Sequence, residues 1–281
     1  MFIVRDHREI PQILKDPKDE RTVLSFSRRA PQLKGTIQLI CDNITSDNIA
    51  KTEMLLLNDN VLHSIDGISR FSVSPLEILN LSNNSLESIP EEFASLVHLK
   101  TLYLEDNKLF EFPVILFELL NLKSLYLSGN PFHSVPSFPT HWEGLEELFL
   151  DKCGLSELPD SISELKSLKV LVVGNNQLTS LPASMSSLVH LEVIAVNSNR
   201  LTELPSFFSG YSKLRVLQAN SNRIQSFDDG IADIASLSVI RLANNCISSI
   251  GEKCLSKWSQ GGIDDILEGN PVLASLRVQK Q

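Results

Sequence analysis

The sequence predicts an α/β repeat solenoid: stacked layers with parallel strands on one face and short helical turns on the other. Three observations predict it. Leu76, Leu99, Leu122, Leu145, Leu168, Leu191, Leu214 and Leu237 fall on one beat of 23 residues. Each but Leu145, whose repeat carries Cys153 for the Asn, opens the phrase Leu-x-x-hydrophobic-x-hydrophobic-x-x-Asn-x-hydrophobic, read in LEILNLSNNSL from Leu76 and LKTLYLEDNKL from Leu99. Pro90, Pro113, Pro136, Pro159, Pro182 and Pro205 keep the same beat. A fixed period of this length marks a stack of units, because no single unit can bury its apolar residues alone.

Each element follows from the phrase in order. Thr101-Leu102-Tyr103-Leu104-Glu105 alternates with period two, so the leucines face one side of a short strand and the variable residues the other. After each strand comes a tight turn carrying Asn60, Asn84, Asn107, Asn130, Asn176, Asn199, Asn222, Asn245 or Asn270. A buried turn holds N–H and C=O groups that water cannot reach, and an amide side chain supplies both donors and acceptors for them. Cys153 stands in the asparagine slot of one repeat, where a small buried thiol is a structural substitute rather than a reactive group. Further apolar residues follow the turn, Leu86 then Ile89 and Leu109 then Phe112. The prolines suit the first turn of a helical segment. Beyond them, Pro90, Phe93, Leu96 and Leu99 are spaced by three, which predicts a short helix or 3₁₀ turn on the convex side.

The ends depart from the beat, as solenoid ends must. A capping helix is expected over Arg8–Asp16, with degenerate repeats around Val23–Phe26 and Ile37–Leu39. Asn270 marks a final turn before Leu273–Leu276 closes the stack. The expected organisation is one elongated domain: residues 1–51 a cap with degenerate first repeats, 52–259 the regular repeats, and 260–281 a closing segment.

These phrases are what make the chain resemble a leucine-rich repeat protein. The 23-residue length and the Leu/Ile-Pro step are similar to the intracellular Ras-group class, which includes the Ras suppressor family and plant relatives. The resemblance covers about residues 52–271. It implies a curved horseshoe, with the parallel sheet concave and the helical turns convex. It also implies a signalling adaptor or scaffold, with small GTPases or protein phosphatases as partner classes. Fold alone does not settle function.

Composition narrows the classes further. A net charge of −9 argues against nucleic acid or an anionic membrane as the main partner, since both need a basic surface. Arg28, Arg29 and Lys34 form the notable basic cluster, most simply solvated surface. MFIVRDHREI lacks the apolar run of a secretory signal, and no stretch approaches the roughly 18 apolar residues of a membrane helix. Cys41, Cys153, Cys246 and Cys254 lack the end-clustering of secreted repeat proteins, so free thiols in the cytoplasm fit best. No two histidines stand at metal-ligand spacing, and no Gly-x-Gly-x-x-Gly, Gly-Lys-Ser/Thr or Gly-x-Ser-x-Gly motif occurs. The expectation is a monomeric, non-enzymatic binding module without metal or cofactor.

Because fixed positions build the fold, recognition must lie in the variable ones. The outward residue between the paired leucines reads Asn80, Tyr103, Tyr126, Phe149, Val172, Ala195, Gln218, Arg241. Three consecutive aromatics on strands about 4.8 Å apart predict a ridge. Glu105, Asp106, Glu147 and Asp151 border it, and amphipathic rings edged by charge match the makeup of binding hot spots. Cross-strand stacking that merely stabilises the sheet is the plainer alternative. Val170, Val193, Val216 and Val239 form a second stripe, explained as well by strand propensity as by binding. Two other functions remain open: an architectural subunit of a cytoskeletal or ciliary assembly using edges and convex helices, and a substrate-recognition subunit for an enzyme supplied in trans.

Overall fold

The computed structural model describes residues 9–15, 20–259 and 262–279. They form two compact units, one up to Phe132 and one from His133.

In the first unit a parallel sheet runs in chain order through β1 (Val23–Ser25), β2 (Met54–Leu56), β3 (Ile78–Asn80), β4 (Thr101–Tyr103) and β5 (Ser124–Tyr126). The middle residue of each strand faces the core: Leu24, Leu55, Leu79, Leu102 and Leu125 are buried. The returning segments are 3₁₀ turns at Ile68–Val73, Glu91–Ser95 and Val114–Glu118. Three residues per turn suit the spacing of Phe93, Leu96 and Leu99, all buried. Pro90 and Pro113 sit one residue earlier than expected, as N-caps in non-helical conformation, where the ring sets the entry of the chain into the turn.

The N-terminal end is more helical than expected. Helix α1 (Ile10–Leu14) lies within the expected Arg8–Asp16, whose two end residues fall outside the described ones. β1 (Val23–Ser25) places a strand within Val23–Phe26, paired in parallel with β2. The segment Ile37–Leu39 is no strand: after α2 (Ala30–Leu33) it enters α3 (Gln38–Asn43), followed by α4 (Ser46–Ala50). Leu33, Ile37, Ile40, Cys41 and Ile44 are the buried residues there, a helical spacing that overrides the short Ile37/Leu39 alternation.

The second unit repeats the plan with β6 (Glu147–Phe149), β7 (Val170–Val172), β8 (Val193–Ala195), β10 (Val216–Gln218) and β12 (Val239–Arg241), again parallel and in chain order. A small pair, β9 (Glu203–Leu204) and β11 (Ser226–Phe227), runs parallel beside the turns. Regular 3₁₀ turns span Asp160–Glu164, Ala183–Ser187, Ser206–Gly210 and Asp229–Asp233. The repeat opened by Leu122 is irregular: no turn follows Pro136, and a shorter one, Thr140–Trp142, starts after Pro139. Phe138 and Trp142, stacked at 6.3 Å between centroids, are both buried there. The chain closes in α5 (Glu252–Ser259), α6 (Ile263–Leu267) and α7 (Pro271–Gln279).

The asparagines wire the layers of each unit together. Asn107 Nδ2 donates to the carbonyl of Leu104 in its own repeat and of Leu81 in the one before, both at 3.0 Å. Its Oδ1 accepts the N–H of Leu86, also in the preceding repeat, at 3.0 Å. Asn199 does the same with Val196, Val173 and Leu178. Asn60 and Asn270 extend the pattern to the ends, reaching back to Phe26 and Leu242. The residue before each asparagine, and before Cys153, has positive φ, from Asp59 to Gly269, and is Asn, Asp, Ser, Lys or Gly. Gly129 shows why a glycine serves one of them: at φ +77°, an added Cβ would lie 2.3 Å from Asp106 Oδ1.

The C-terminal helix is capped from the neighbouring repeat. The Asp229 carboxylate accepts the backbone N–H groups of Lys253 and Cys254, each at 3.0 Å, at the start of α5. The Cys254 N–H holds the Asp229 carboxyl below its ordinary value of 3.8.

Leu171→Ala should cost about 2–5 kcal/mol by leaving a cavity. Asn199→Ala should cost a comparable amount, since each buried partner left unpaired costs about 1–3 kcal/mol. Denaturant unfolding measures both, and a midpoint like that of the parent protein would show that these residues are not core. For Asp229, a depressed carboxyl contributes stability above 3.8 that is lost as pH falls through the lower folded value. Asp229→Asn should therefore lower the Tm at neutral pH, with the gap to the parent protein closing in strong acid.

Candidate functional site

The candidate residues divide between the two units. In the first, strand pairing sets Asn80, Tyr103 and Tyr126 side by side on the sheet face opposite the leucines. The rings of Tyr103 and Tyr126 stack, centroids 4.5 Å apart and planes 21° from parallel. Both tyrosines remain half-buried, so part of each ring is open to solvent. The strand holds the pair rigidly: Leu81 N–H donates to Tyr103 O and Leu104 N–H to Tyr126 O, each at 2.8 Å.

The carboxylates beside the pair are positioned, not loose. Glu105 accepts the Ser82 hydroxyl at 2.7 Å, which holds it along the sheet. Asp106 is exposed, but its backbone is the left-handed residue of the turn, φ 51°, and its N–H donates to Ser128 O. It thus serves the fold as well as the rim.

In the second unit Phe149 lies half-buried on β6, in register with Val172. Glu147 points to the same sheet face two residues earlier, beside Val170. Both carboxylate oxygens of Asp151 accept from Asn175 Nδ2 at 3.2 Å. Val170, Val193, Val216 and Val239 stand in register on neighbouring strands, each half-buried. Beyond them the face turns polar at Gln218 and Arg241.

Cys153 is fully buried in the asparagine slot. Its N–H donates to Asn176 Oδ1 at 3.0 Å, and its thiol reaches the Asp151 carbonyl at 3.5 Å. Cys254 is buried too, and burial, reinforced by Asp229, pushes its thiol up to about 12. Burial also pushes the Tyr211 phenol up; its hydroxyl donates to Met185 O at 2.6 Å. Among the described residues, no group of three or more His, Cys, Asp or Glu is placed to hold a metal ion. None of their helices is long and apolar enough to cross a membrane. Arg28, from the basic cluster, pairs with Asp59 at 3.4 Å.

One set of exposed residues escaped the sequence analysis. Phe110 and Val114 are 57% and 59% exposed on the flank of the first unit, before and at the start of a 3₁₀ turn. The signal was available: the slot of Phe110 holds Glu87, His133, Ser156, Thr179, Thr202, Gln225 and Ser248 elsewhere, all polar.

The chain belongs to the leucine-rich repeat family. Models described as leucine-rich repeat match residues 50–109 and 143–201, and a second such model matches 121–142, together about half of the chain. Among solved structures, it is similar to a leucine-rich repeat protein of Leptospira interrogans, with 28% identity and TM-score 0.72 over 83% of this chain and 60% of that one. It is also similar to the ectodomain of the Arabidopsis thaliana membrane receptor kinase GASSHO1/SCHENGEN3, solved with Casparian strip integrity factor 2. There the identity is 26% and the TM-score 0.69, over 79% of this chain and 27% of that one. A third, TLR13 in complex with ssRNA13, gives 26% and 0.67 over 79% and 32%. The chain spans less than two thirds of each of these relatives. No curated protein matches the sequence. Leucine-rich repeats generally mediate protein–protein interaction and generally carry no catalytic machinery.

The thiols give a direct check on the burial described above. Reaction of the native protein with a thiol reagent should label the exposed Cys246 first, with Cys153 and Cys254 reacting only on unfolding. Raising pH through 9.0, the ordinary thiol value, should not speed labelling at Cys254. Mass spectrometry of the labelled peptides reads the order, and fast native labelling of Cys153 would reopen a catalytic role for it.

Proposed function

We propose that the protein is a non-catalytic adaptor or scaffold that grips a protein partner on the open face of its sheet. The observation that carries this is the stacked Tyr103–Tyr126 pair, amphipathic and partly open to solvent. Rigid aromatic rings of this kind anchor interfaces because they give large contact area at little entropy cost. Glu105 and Asp106 supply charge at the rim, where it governs encounter more than final affinity. Phe149, with Glu147 and Asp151, offers a second anchor of the same chemistry on the second unit. The repeat length and Leu/Ile-Pro step support placement in the intracellular Ras-group class, with small GTPases or protein phosphatases as partner classes by that resemblance. A cytoplasmic setting agrees with cysteines that are not clustered for pairing.

An architectural role is the second reading, favoured by the exposed Phe110 and Val114 away from the sheet face. The two readings separate on one variant. Tyr103→Ala with Tyr126→Ala should shift stability by no more than about 1 kcal/mol, the scale of a cross-strand pair. Capture of the cellular partner should fall at least about tenfold, the scale of hot-spot loss. Quantitative co-purification and Tm, measured together, test this; unchanged capture by a folded variant would move the binding site off the tyrosines.

A further inference from the structure

The flank of the first unit holds an open cleft of about 630 Å³ between the segments that lead into two successive 3₁₀ turns. Its apolar lining comes from Ile89, Phe110, Phe112, Val114 and Ile115. Ile89 and Phe112 are buried beneath it, and Phe112 is braced by Phe132 at 5.7 Å, edge to face. Phe110 and Val114 are more than half exposed, in slots that are small or polar in the other repeats: Glu91, Ser137, Asp160, Ala183, Ser206 and Asp229 match Val114. Leaving such groups open to water in one repeat is costly unless something covers them.

The rim decides what covers them. Glu87, Glu91, Glu111 and Glu118 line the cleft, all exposed, and no lysine, arginine or histidine lines it with them. Four carboxylates around an apolar trough repel an anionic membrane surface and disfavour a second copy of a chain whose own net charge is −9. The cleft lies within the range of about 300–1,000 Å³ usual for binding pockets, enough for two or three large side chains. We propose that this cleft is a second docking site, distinct from the tyrosine face, and that it takes a basic amphipathic segment of a partner protein. In that complex an aromatic or leucine side chain enters between Phe110 and Val114, while flanking lysines or arginines meet the glutamates.

The test is a phage-displayed library of 12-residue random peptides selected on the full chain, with the best binders then measured by fluorescence anisotropy. Selected peptides should combine Phe, Leu or Trp with at least two Lys or Arg, and their binding should weaken with added salt. Affinity should drop about tenfold or more in Phe110→Ser with Val114→Ser, and comparably in Glu91→Lys with Glu111→Lys. It should be unchanged in Tyr103→Ala with Tyr126→Ala, so that loss of the sheet-face site and loss of this one are told apart. All six substitutions fall on residues at least partly open to solvent, and a retained Tm confirms that each variant is folded. Failure to enrich a peptide family, or binders without basic residues, would overturn the proposal. So would binders that hold either flank variant as tightly as the parent protein. Self-association abolished by Phe110→Ser with Val114→Ser would assign the cleft to a second copy instead, and salt-sensitive binding to phosphatidylserine vesicles would assign it to a membrane.

Discussion

The buried asparagine amide is the interaction on which the structure depends. A strand of three residues forms few ladder hydrogen bonds, and a tight turn inside a core strands its own N–H and C=O groups. The amide answers both at once. Its Nδ2 takes a carbonyl from its own repeat and one from the repeat before, and its Oδ1 takes an N–H from that earlier repeat. The leucines supply most of the apolar burial, but they would tolerate sliding of one layer against the next. The amide does not, because its three partners fix register as well as spacing. The residues facing solvent from neighbouring strands, Tyr103 against Tyr126 or Val193 against Val216, inherit their alignment from it.

Much of this was legible in the sequence because every repeat poses the same physical problem, and nearly all of the answers agree. The beat of leucines, the asparagine slot and the outward positions are each averaged over many copies. Legibility fails where the copies disagree. Ile37 and Leu39 look like strand alternation until Leu33, Ile40, Cys41 and Ile44 are counted, and then the helical period of α3 wins. Pro136 keeps the beat, yet the turn is displaced to Thr140–Trp142, where a second proline, Pro139, takes the cap position. Of the candidate site, the strands and faces of Tyr103, Tyr126 and Phe149 were readable, but the anchoring of Glu105 by Ser82 was not. Spacing says which face a side chain leaves from; it does not say which neighbour holds it.

The exposed chemistry of the first unit is unevenly shared. On the sheet face, aromatic rings stack on each other and meet water only in part. On the flank, Phe110 and Val114 stand more than half exposed among carboxylates. The two surfaces arise from different kinds of freedom. Strand positions vary under the constraint of cross-strand neighbours, which favours rings and β-branched residues whether or not anything binds. The flank slots carry no such constraint, so an apolar residue there has no structural motive supplied by the fold.

The asparagine wiring also has a direction: each amide completes the layer that precedes it. A repeat taken without its successor therefore leaves a carbonyl and an N–H unanswered, and the amide that completes them lies in the next repeat, as Asn107 does for Leu81 and Leu86. The final layer is no exception, because Asn270, between α6 and α7, answers the Leu242 carbonyl and the Ile247 N–H. The array is thus a zipper in which each asparagine closes the tooth before it, and only the tooth ahead of Cys153 is left without an amide from its successor.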